Sequence, residues 1–306
     1  METEKYDVII IGAGPSGLTS AIYCGRAGLS TLVLEKGFCG GQIYLSSLVE
    51  NYPGVKSTDG ATLIATMVSQ AKSFGAQILE NSPVTEVDLE GKTVKTEKAD
   101  YSADSIIIST GNRWRKLGVP GESELVGRGV SYCATCDGPF FKGKEVAVIG
   151  GGDSAIEEAM YLTKFASRVY VIHRRDKLRA EKYVQEQAFA NEKLEFLWDT
   201  QVKEIAGSGK VEKLSLENSK TNETTGLEVS GVFIYIGMLP NTEMFKGALE
   251  TDERGYIKTN ERMQASIKGV YAAGDVRSSP VKQITTATSD GTVAAVSAVQ
   301  QSQGLL

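Results

Sequence analysis

The apolar positions of this chain fall into short runs separated by glycine-rich turns and helix-like stretches, and one such arrangement occurs twice. Residues 6–11 read YDVIII, a buried-strand run, and Gly12-Ala13-Gly14-Pro15-Ser16-Gly17 follows it. A helix-like stretch then runs from Leu18 to about Ala27. A second apolar run, Thr31 to Leu34, ends in Glu35, 23 residues after Gly12. The order returns in mid-chain: a strand from Glu145 to Ile149, then Gly150-Gly151-Gly152-Asp153-Ser154-Ala155, then a helix from Ile156 through about Lys164. The strand after it, Val169 to Ile172, ends at His173, again 23 residues after the first glycine of its unit. Elsewhere the pattern predicts a helix over 62–74, strands over 77–95 with a turn at Glu90-Gly91, and a strand over 105–109. It further predicts strands over 193–236, a strand over 269–273 and a helix over 285–301 whose Thr- and Ser-rich start suits capping.

Each repeat has the parts of a βαβ dinucleotide-binding unit. The first glycine of G-x-G-x-x-G makes the turn, the second lets the backbone approach a pyrophosphate, and the third packs helix on strand. The helix N-terminus attracts phosphate. Gly12, Gly14 and Gly17 fill these places in the first unit, with Pro15 and Ser16 between. Gly150, Gly152 and Ala155 fill them in the second, with Gly151, Asp153 and Ser154 between. The residue that ends the second strand separates the two units. Glu35 can accept bonds from ribose hydroxyls, and its charge repels a 2′-phosphate, whereas His173 is followed by Arg174, Arg175 and Arg179, which can grip one. The first unit is therefore expected to bind a dinucleotide with free ribose hydroxyls, and the second NADP. Two dinucleotides in one chain imply electron transfer, naturally between a tightly held flavin and a diffusing nicotinamide. The plainer alternatives are a structural glycine turn in the first unit and a solvated charged strand end at His173-Arg174-Arg175.

With 306 residues the chain has room for two domains. The first fingerprint and the strand ending at Gly274-Asp275 flank the second fingerprint. The simplest α/β architecture is therefore two Rossmann-like dinucleotide-binding domains, one inserted in the other. An NADP domain over 114–244 would sit in a discontinuous FAD domain over 1–113 and 245–306, with connecting strands near 113–117 and 240–245. Lys and Arg number 33 against 38 Asp and Glu, a net charge of -5 with no basic block, which disfavours nucleic acid as a partner. No apolar run reaches ~18 residues, so no membrane span is expected. The N-terminus enters a strand without the features of a signal peptide, which points to the cytoplasm.

A single histidine argues against a His-rich metal site and a Ser-His-Asp hydrolase. Of the four cysteines, Cys133 and Cys136 form a Cys-x-x-Cys, a spacing that is redox-active or half of a metal site. No second pair completes four zinc ligands. Cys24 and Cys39 read as unpaired bystanders. Asp137, directly after the pair, is placed to move a proton, or is a plain turn residue.

Over essentially its whole length the chain resembles the low-molecular-weight thioredoxin reductases. The resemblance is carried by the Gly12–Gly17 fingerprint, Gly40-Gly41-Gln42, Cys133-Ala134-Thr135-Cys136-Asp137-Gly138, His173-Arg174-Arg175 and Gly274-Asp275, in that order. It implies a homodimeric flavoprotein that passes electrons from NADPH through FAD and a Cys133–Cys136 disulfide to oxidised thioredoxin. Glu35, Lys36, Gly41, Gln42 and Asn51 would then line the adenosine and pyrophosphate side of FAD. Val84 would meet the adenine by its backbone, Asp275 would bond the ribityl chain, and Lys282 and Gln283 would lie by the isoalloxazine. Cys136 would stand next to the flavin, and Cys133 would attack the partner disulfide. The redox pair and the NADP fingerprint share the inserted segment and must reach one flavin, so the resemblance also implies rotation of that segment about its two connections.

Phe140 and Phe141 follow the pair and Arg128 precedes it, an arrangement suited to docking thioredoxin unless both rings serve the domain's own core. Three positions depart from the usual pattern of the family: Asp153, where Asn is also found; Trp114, which is bulkier than expected; and Lys282, where many members have Arg. Two other readings stand beside this one. One is an NADPH-dependent flavoprotein electron-transfer reductase for another small redoxin or ferredoxin. The other is a non-enzymatic NADP-sensing module.

Overall fold

Strand β1 (Glu4–Ile11) ends in four consecutive apolar residues, all buried, because it lies inside a sheet covered on both faces. The computed structural model describes residues 3–46 and 49–305, and the chain divides into two compact units. The first unit is Met1–Arg113 with Leu239–Leu306. In it β1 pairs in parallel with β2 (Thr31–Leu34), and β2 with β3 (Gln77–Leu79). On its other side β1 pairs in parallel with the long strand that ends this half of the sheet, Asp100–Ile108. The start of that strand pairs antiparallel with Thr93–Thr96, which pairs with Val84–Asp88; in chain order these three are β6, β5 and β4. The end of β6 pairs in parallel with Val270–Ala272.

One face of this sheet is covered by α1 (Pro15–Arg26), α2 (Gly60–Ser73) and the C-terminal helix Ile284–Ser302, with Val8, Ile10, Leu18, Val33, Ile107 and Ala294 in one core. The alternate strand residues Ile9, Ile11, Leu32, Leu34 and Ile106 turn to the other face and pack with Phe245, Ile257 and Val276. The C-terminal helix is capped by Gln283 together with Thr286 of its first turn. The Gln283 side chain takes the Thr286 N–H while the Thr286 hydroxyl takes the Gln283 N–H, a reciprocal capping box.

The second unit, Trp114–Met238, repeats the plan. After β7 (Asn112–Trp114) and β8 (Val130–Ser131) come the short α3 (Ala134–Asp137), β9 (Glu145–Gly150), α4 (Asp153–Leu162), β10 (Arg168–Ile172), α5 (Lys182–Phe189) and β11 (Leu194–Leu197). An antiparallel sheet of β12 (Thr200–Ala206), β13 (Lys213–Asn218) and β14 (Thr224–Glu228) precedes β15 (Gly231–Tyr235). The parallel sheet has the order β11-β10-β9-β15-β8. Helices α4 and α5 cover one face, and Val202, Ile205, Leu214 and Leu216 of the small sheet pack on the other.

The chain passes between units at Arg113–Trp114 and Met238–Leu239, in β7 and in β16 (Met238–Pro240), which pair with each other. The second crossing precedes the 244/245 boundary read from sequence. Residues 239–244 stay with the first unit because Asn241 is bonded twice to Thr110, by Nδ2 to its carbonyl and by its own carbonyl to the Thr110 hydroxyl, each at 2.8 Å. Among the described residues no helix is long and apolar enough to cross a membrane.

Candidate active site

In the first unit β1 delivers Gly12, at φ 104°, onto the end of β6. A methyl group there would stand 2.4 Å from the Ser109 carbonyl oxygen, and one on Gly17 would stand 2.0 Å from that of Gly12. These two positions need glycine for chain packing. Gly14 differs: a methyl group there would meet nothing within 4 Å. It is the N-cap of α1 and no side chain caps the helix. The free N–H groups of the first turn and the open space before them form a cradle for an anion. Gly41 approaches from the next loop: a methyl group built on it would stand 3.8 Å from the Gly14 Cα.

Glu35 is held at the edge of the cradle. Its Oε2 accepts the Ala13 N–H at 2.9 Å and its Oε1 the Gly37 N–H at 3.0 Å, while Lys36 beside it is exposed. Val84 opens β4, opposite Thr96. Asn51 donates to the Gln283 amide oxygen at 3.2 Å.

A polar cluster stands at the ends of β6 and Val270–Ala272. Gln42 donates to the Asn112 carbonyl at 2.7 Å. The buried Asn112 side chain also bonds Asp275 and Tyr256. Burial pushes the Asp275 carboxyl up, and the charge of Lys282 opposes it. Burial pushes the Lys282 ammonium down, with Asp275 opposing. Lys282 donates to the carbonyls of Asp275 (3.2 Å) and Arg277 (2.5 Å), and its Nζ lies 4.4 Å over the Tyr256 ring. Gly274 is at φ 78°, and its N–H goes to the buried Asp290, which also takes a two-pronged bond from Arg277. Asn112, Tyr256, Arg277 and Asp290 escape a reading of motifs. Asn112 alone carries a local signal, since it follows Thr110-Gly111 at a strand end.

In the second unit Gly150 and Gly151 are both forced. A methyl group would stand 2.4 Å from the Tyr235 carbonyl oxygen in the first case and 2.4 Å from the His173 ring in the second. Gly152 is the N-cap of α4, again with no side-chain cap, and Ser154 lies exposed in the first turn. Asp153, where Asn is also found in the family, has its carboxylate bonded to the Glu181 N–H at 2.6 Å, at the start of α5.

His173 is buried rather than set on a solvated strand end. Burial lowers its pKa, a hydrogen bond with the Lys177 backbone opposes this, and the charges of Arg179, Arg175 and Arg174 add to the lowering. Among the described residues its Nε2 has no hydrogen-bond partner. The cationic surface therefore consists of Arg174, Arg175 and Arg179, all exposed, with the Arg179 N–H fixed to the Gly151 carbonyl at 2.6 Å.

The same unit carries the cysteine pair. Cys133 and Cys136 are joined as a disulfide, with Cα atoms 5.4 Å apart. Cys133 caps α3: its Sγ accepts the Cys136 N–H at 3.2 Å and lies 3.3 Å from the Thr135 hydroxyl. Asp137, half-buried, ends the turn, and its N–H bonds the Cys133 carbonyl at 3.1 Å. The two expected docking rings part company. Phe140 is 72% exposed, whereas Phe141 is buried edge-on against Phe233. Cys24 and Cys39 are free and buried in the first unit, and burial pushes both thiols up to about 12. A thiol at that pKa is a poor nucleophile at neutral pH.

The profile of a family described as pyridine nucleotide-disulphide oxidoreductase matches residues 6–291. The thioredoxin reductase of Bacillus subtilis (strain 168) is 52% identical over 300 residues, which span 97% of this chain and 95% of the relative. Among solved structures, Lactococcus lactis thioredoxin reductase in its FR conformation matches with a TM-score of 0.86 and 45% identity, covering 96% of this chain and 98% of that one. The thioredoxin reductase of T. acidophilum matches with a TM-score of 0.84 and 38% identity, covering 98% and 99%.

Proposed function

The chain belongs to the pyridine nucleotide-disulphide oxidoreductases, and from that premise we propose that it is an NADPH-dependent thioredoxin-disulfide reductase with FAD as its bound flavin. The observation that carries the reading is the Cys133–Cys136 disulfide, set in the same compact unit as a glycine loop flanked by Arg174, Arg175 and Arg179. The uncapped N-terminus of α1 and the open space at Gly14 suit the pyrophosphate of FAD, and the buried cluster of Asn112, Asp275 and Lys282 supplies polar groups for the rest of that cofactor. Glu35 takes the adenosine ribose. Gly151, Gly152 and the start of α4 take the NADPH pyrophosphate, and the arginines its 2′-phosphate.

The bound flavin supplies one chemical capability, turning a hydride from NADPH into an electron pair for a disulfide. The exchange with the partner belongs to the cysteines. In the reduced pair the Cys133 thiolate attacks one sulfur of the thioredoxin disulfide, and the other sulfur leaves as a thiolate and takes up a proton. Cys136 then attacks Cys133 Sγ in the mixed disulfide. The Cys133–Cys136 bond forms again and the second thioredoxin sulfur is released. Asp137, next to the pair, exchanges protons with the sulfurs. Exposed Phe140, with Arg128, docks the partner.

The inserted unit turns about the two crossings at Arg113–Trp114 and Met238–Leu239 to alternate between flavin and partner. The protein works as a homodimer in the cytoplasm. The deciding experiment is anaerobic reduction by NADPH followed by visible absorbance, with and without thioredoxin. Bleaching of the flavin band with thiols appearing on thioredoxin is expected. Bleaching without thioredoxin reduction would overturn the assignment.

A further inference from the structure

Tyr235 ends β15, and no motif singles it out. It is 6% exposed, and its ring meets Trp114 edge-on with centroids 5.8 Å apart. Its hydroxyl oxygen accepts the N–H of Ala134, a fully buried residue between the two cysteines, at 2.7 Å. The amides of the redox turn are thereby divided. The Cys133 N–H goes to the Ser131 hydroxyl, the Cys136 N–H to Cys133 Sγ, the Asp137 N–H to the Cys133 carbonyl, and the Ala134 N–H to Tyr235. The first three acceptors lie in the turn or just before it. Tyr235 comes from the neighbouring strand β15, 101 residues further along the chain. Burial disfavours its ionisation, as do the charges of Glu158 and Asp137, so it acts as a neutral phenol.

We propose that Tyr235 is a positioning residue for the redox pair: by taking the Ala134 N–H it holds the turn in its disulfide geometry and withholds that donor from the cysteine sulfur. The inference rests on the reading of Cys133–Cys136 as the exchanging pair. Reduction breaks the S–S bond and adds two electrons and one proton, leaving a thiol and a thiolate. Nearby N–H donors stabilise the thiolate. Phenylalanine at 235 would keep the ring and its contact with Trp114 but remove the acceptor. The oxidised turn would then hold a buried, unpaired N–H, whereas in the reduced turn that N–H could turn to the thiolate. Both effects favour the dithiol.

The test uses the full-length, FAD-loaded protein equilibrated with set ratios of reduced and oxidised dithiothreitol, whose two thiols become a disulfide as the Cys133–Cys136 bond opens. Rapid alkylation and mass analysis of the peptide bearing Cys133 and Cys136 then give the equilibrium constant. Tyr235→Phe is expected to raise the constant for reduction about three- to tenfold, equivalent to about 14–30 mV for a two-electron couple. Trp114→Phe, which leaves the hydroxyl in place, should stay within about twofold of wild type. An unchanged constant in folded Tyr235→Phe overturns the proposal. A wild-type pair that dithiothreitol does not reduce instead overturns the exchanging-pair reading. Should Tyr235→Phe not fold, amide exchange at Ala134 in the wild type decides: protection in both the oxidised and the reduced protein is expected, because the phenol keeps the donor in each state, and loss of protection on reduction overturns the proposal.

Discussion

The imidazole of His173 is pressed against Gly151 so closely that a methyl group on Gly151 would stand 2.4 Å from both Cε1 and Nδ1. His173 is buried directly after β10. Gly151→Ala must therefore shift the imidazole or the glycine loop, an overpacking that typically costs about 1–3 kcal/mol. We expect NADPH affinity to fall at least about tenfold while FAD content is unchanged. Fluorescence titration with NADPH, beside the flavin absorbance of the purified variant, checks both parts.

Removing Arg174 and Arg175 together should separate the two nicotinamide cofactors. Loss of charge-assisted bonds to a 2′-phosphate corresponds to about 1–3 kcal/mol, or about 5- to 150-fold in NADPH binding. NADH, which has no such phosphate, should be affected far less. Equal losses for both cofactors would show that these arginines do not read the 2′-phosphate.

The two cysteines should respond differently to serine. Cys133→Ser is expected to leave the flavin reducible, to strengthen a long-wavelength absorbance between Cys136 thiolate and flavin, and to stop thioredoxin reduction. Cys136→Ser should lose that absorbance. Anaerobic spectra of the two variants after NADPH addition make the comparison, and the opposite pattern would exchange the two roles.

Neighbouring phenylalanines should give contrasting variants. Phe140 is 72% exposed, so Phe140→Ala should raise the apparent KM for thioredoxin without slowing reduction of a small disulfide dye. Phe141 is buried against Phe233, so Phe141→Ala should instead lower stability by about 3–5 kcal/mol. Steady-state kinetics with both substrates, together with denaturant unfolding, distinguish the outcomes.

Two buried groups should shape stability against pH in opposite senses. Burial pushes the Glu158 carboxyl from 4.5 up to about 7, with the charge of Glu157 adding to it. The folded protein keeps a proton that the unfolded chain gives up, so this contribution is complete below pH 4.5 and is lost as pH rises toward about 7. The loss amounts to at most about 1.4 kcal/mol per pH unit in that window. Burial lowers the His173 pKa from 6.5, so its contribution is present above pH 6.5 and is lost as pH falls below that. Glu158→Gln should therefore flatten the decline between pH 4.5 and 7 and leave an acid-side fall. Urea unfolding at a series of pH values measures this, and a profile parallel to wild type would exclude Glu158 as the titrating group.

The sequence by itself determined both glycine loops between strand and helix, the acid that follows one and the arginines that follow the other, and the cysteine pair. Each rests on local spacing: a glycine at a fixed offset from a strand end makes the tight turn into the helix with a positive φ, as at Gly12 and Gly150. Tertiary packing alone decided the rest. Asn241 draws residues 239–244 into the first unit through Thr110, 131 positions away, and no local pattern records such a bond. His173 and Arg174 are adjacent in the chain just after β10, yet the first packs its ring against the glycine loop at Gly151 and is buried while the second is exposed. Phe140 and Phe141 divide because the 3-10 turn Gly138–Phe141 sets the second ring against Phe233 and leaves the first exposed. Tyr235 reaches Ala134 because parallel pairing sets β15 beside β9 and β8, bringing residues 101 apart into hydrogen-bond contact. Burial, and with it the charge state of His173, Glu158 and Asp275, is a property of the whole packed core, and so only the folded chain could reveal it.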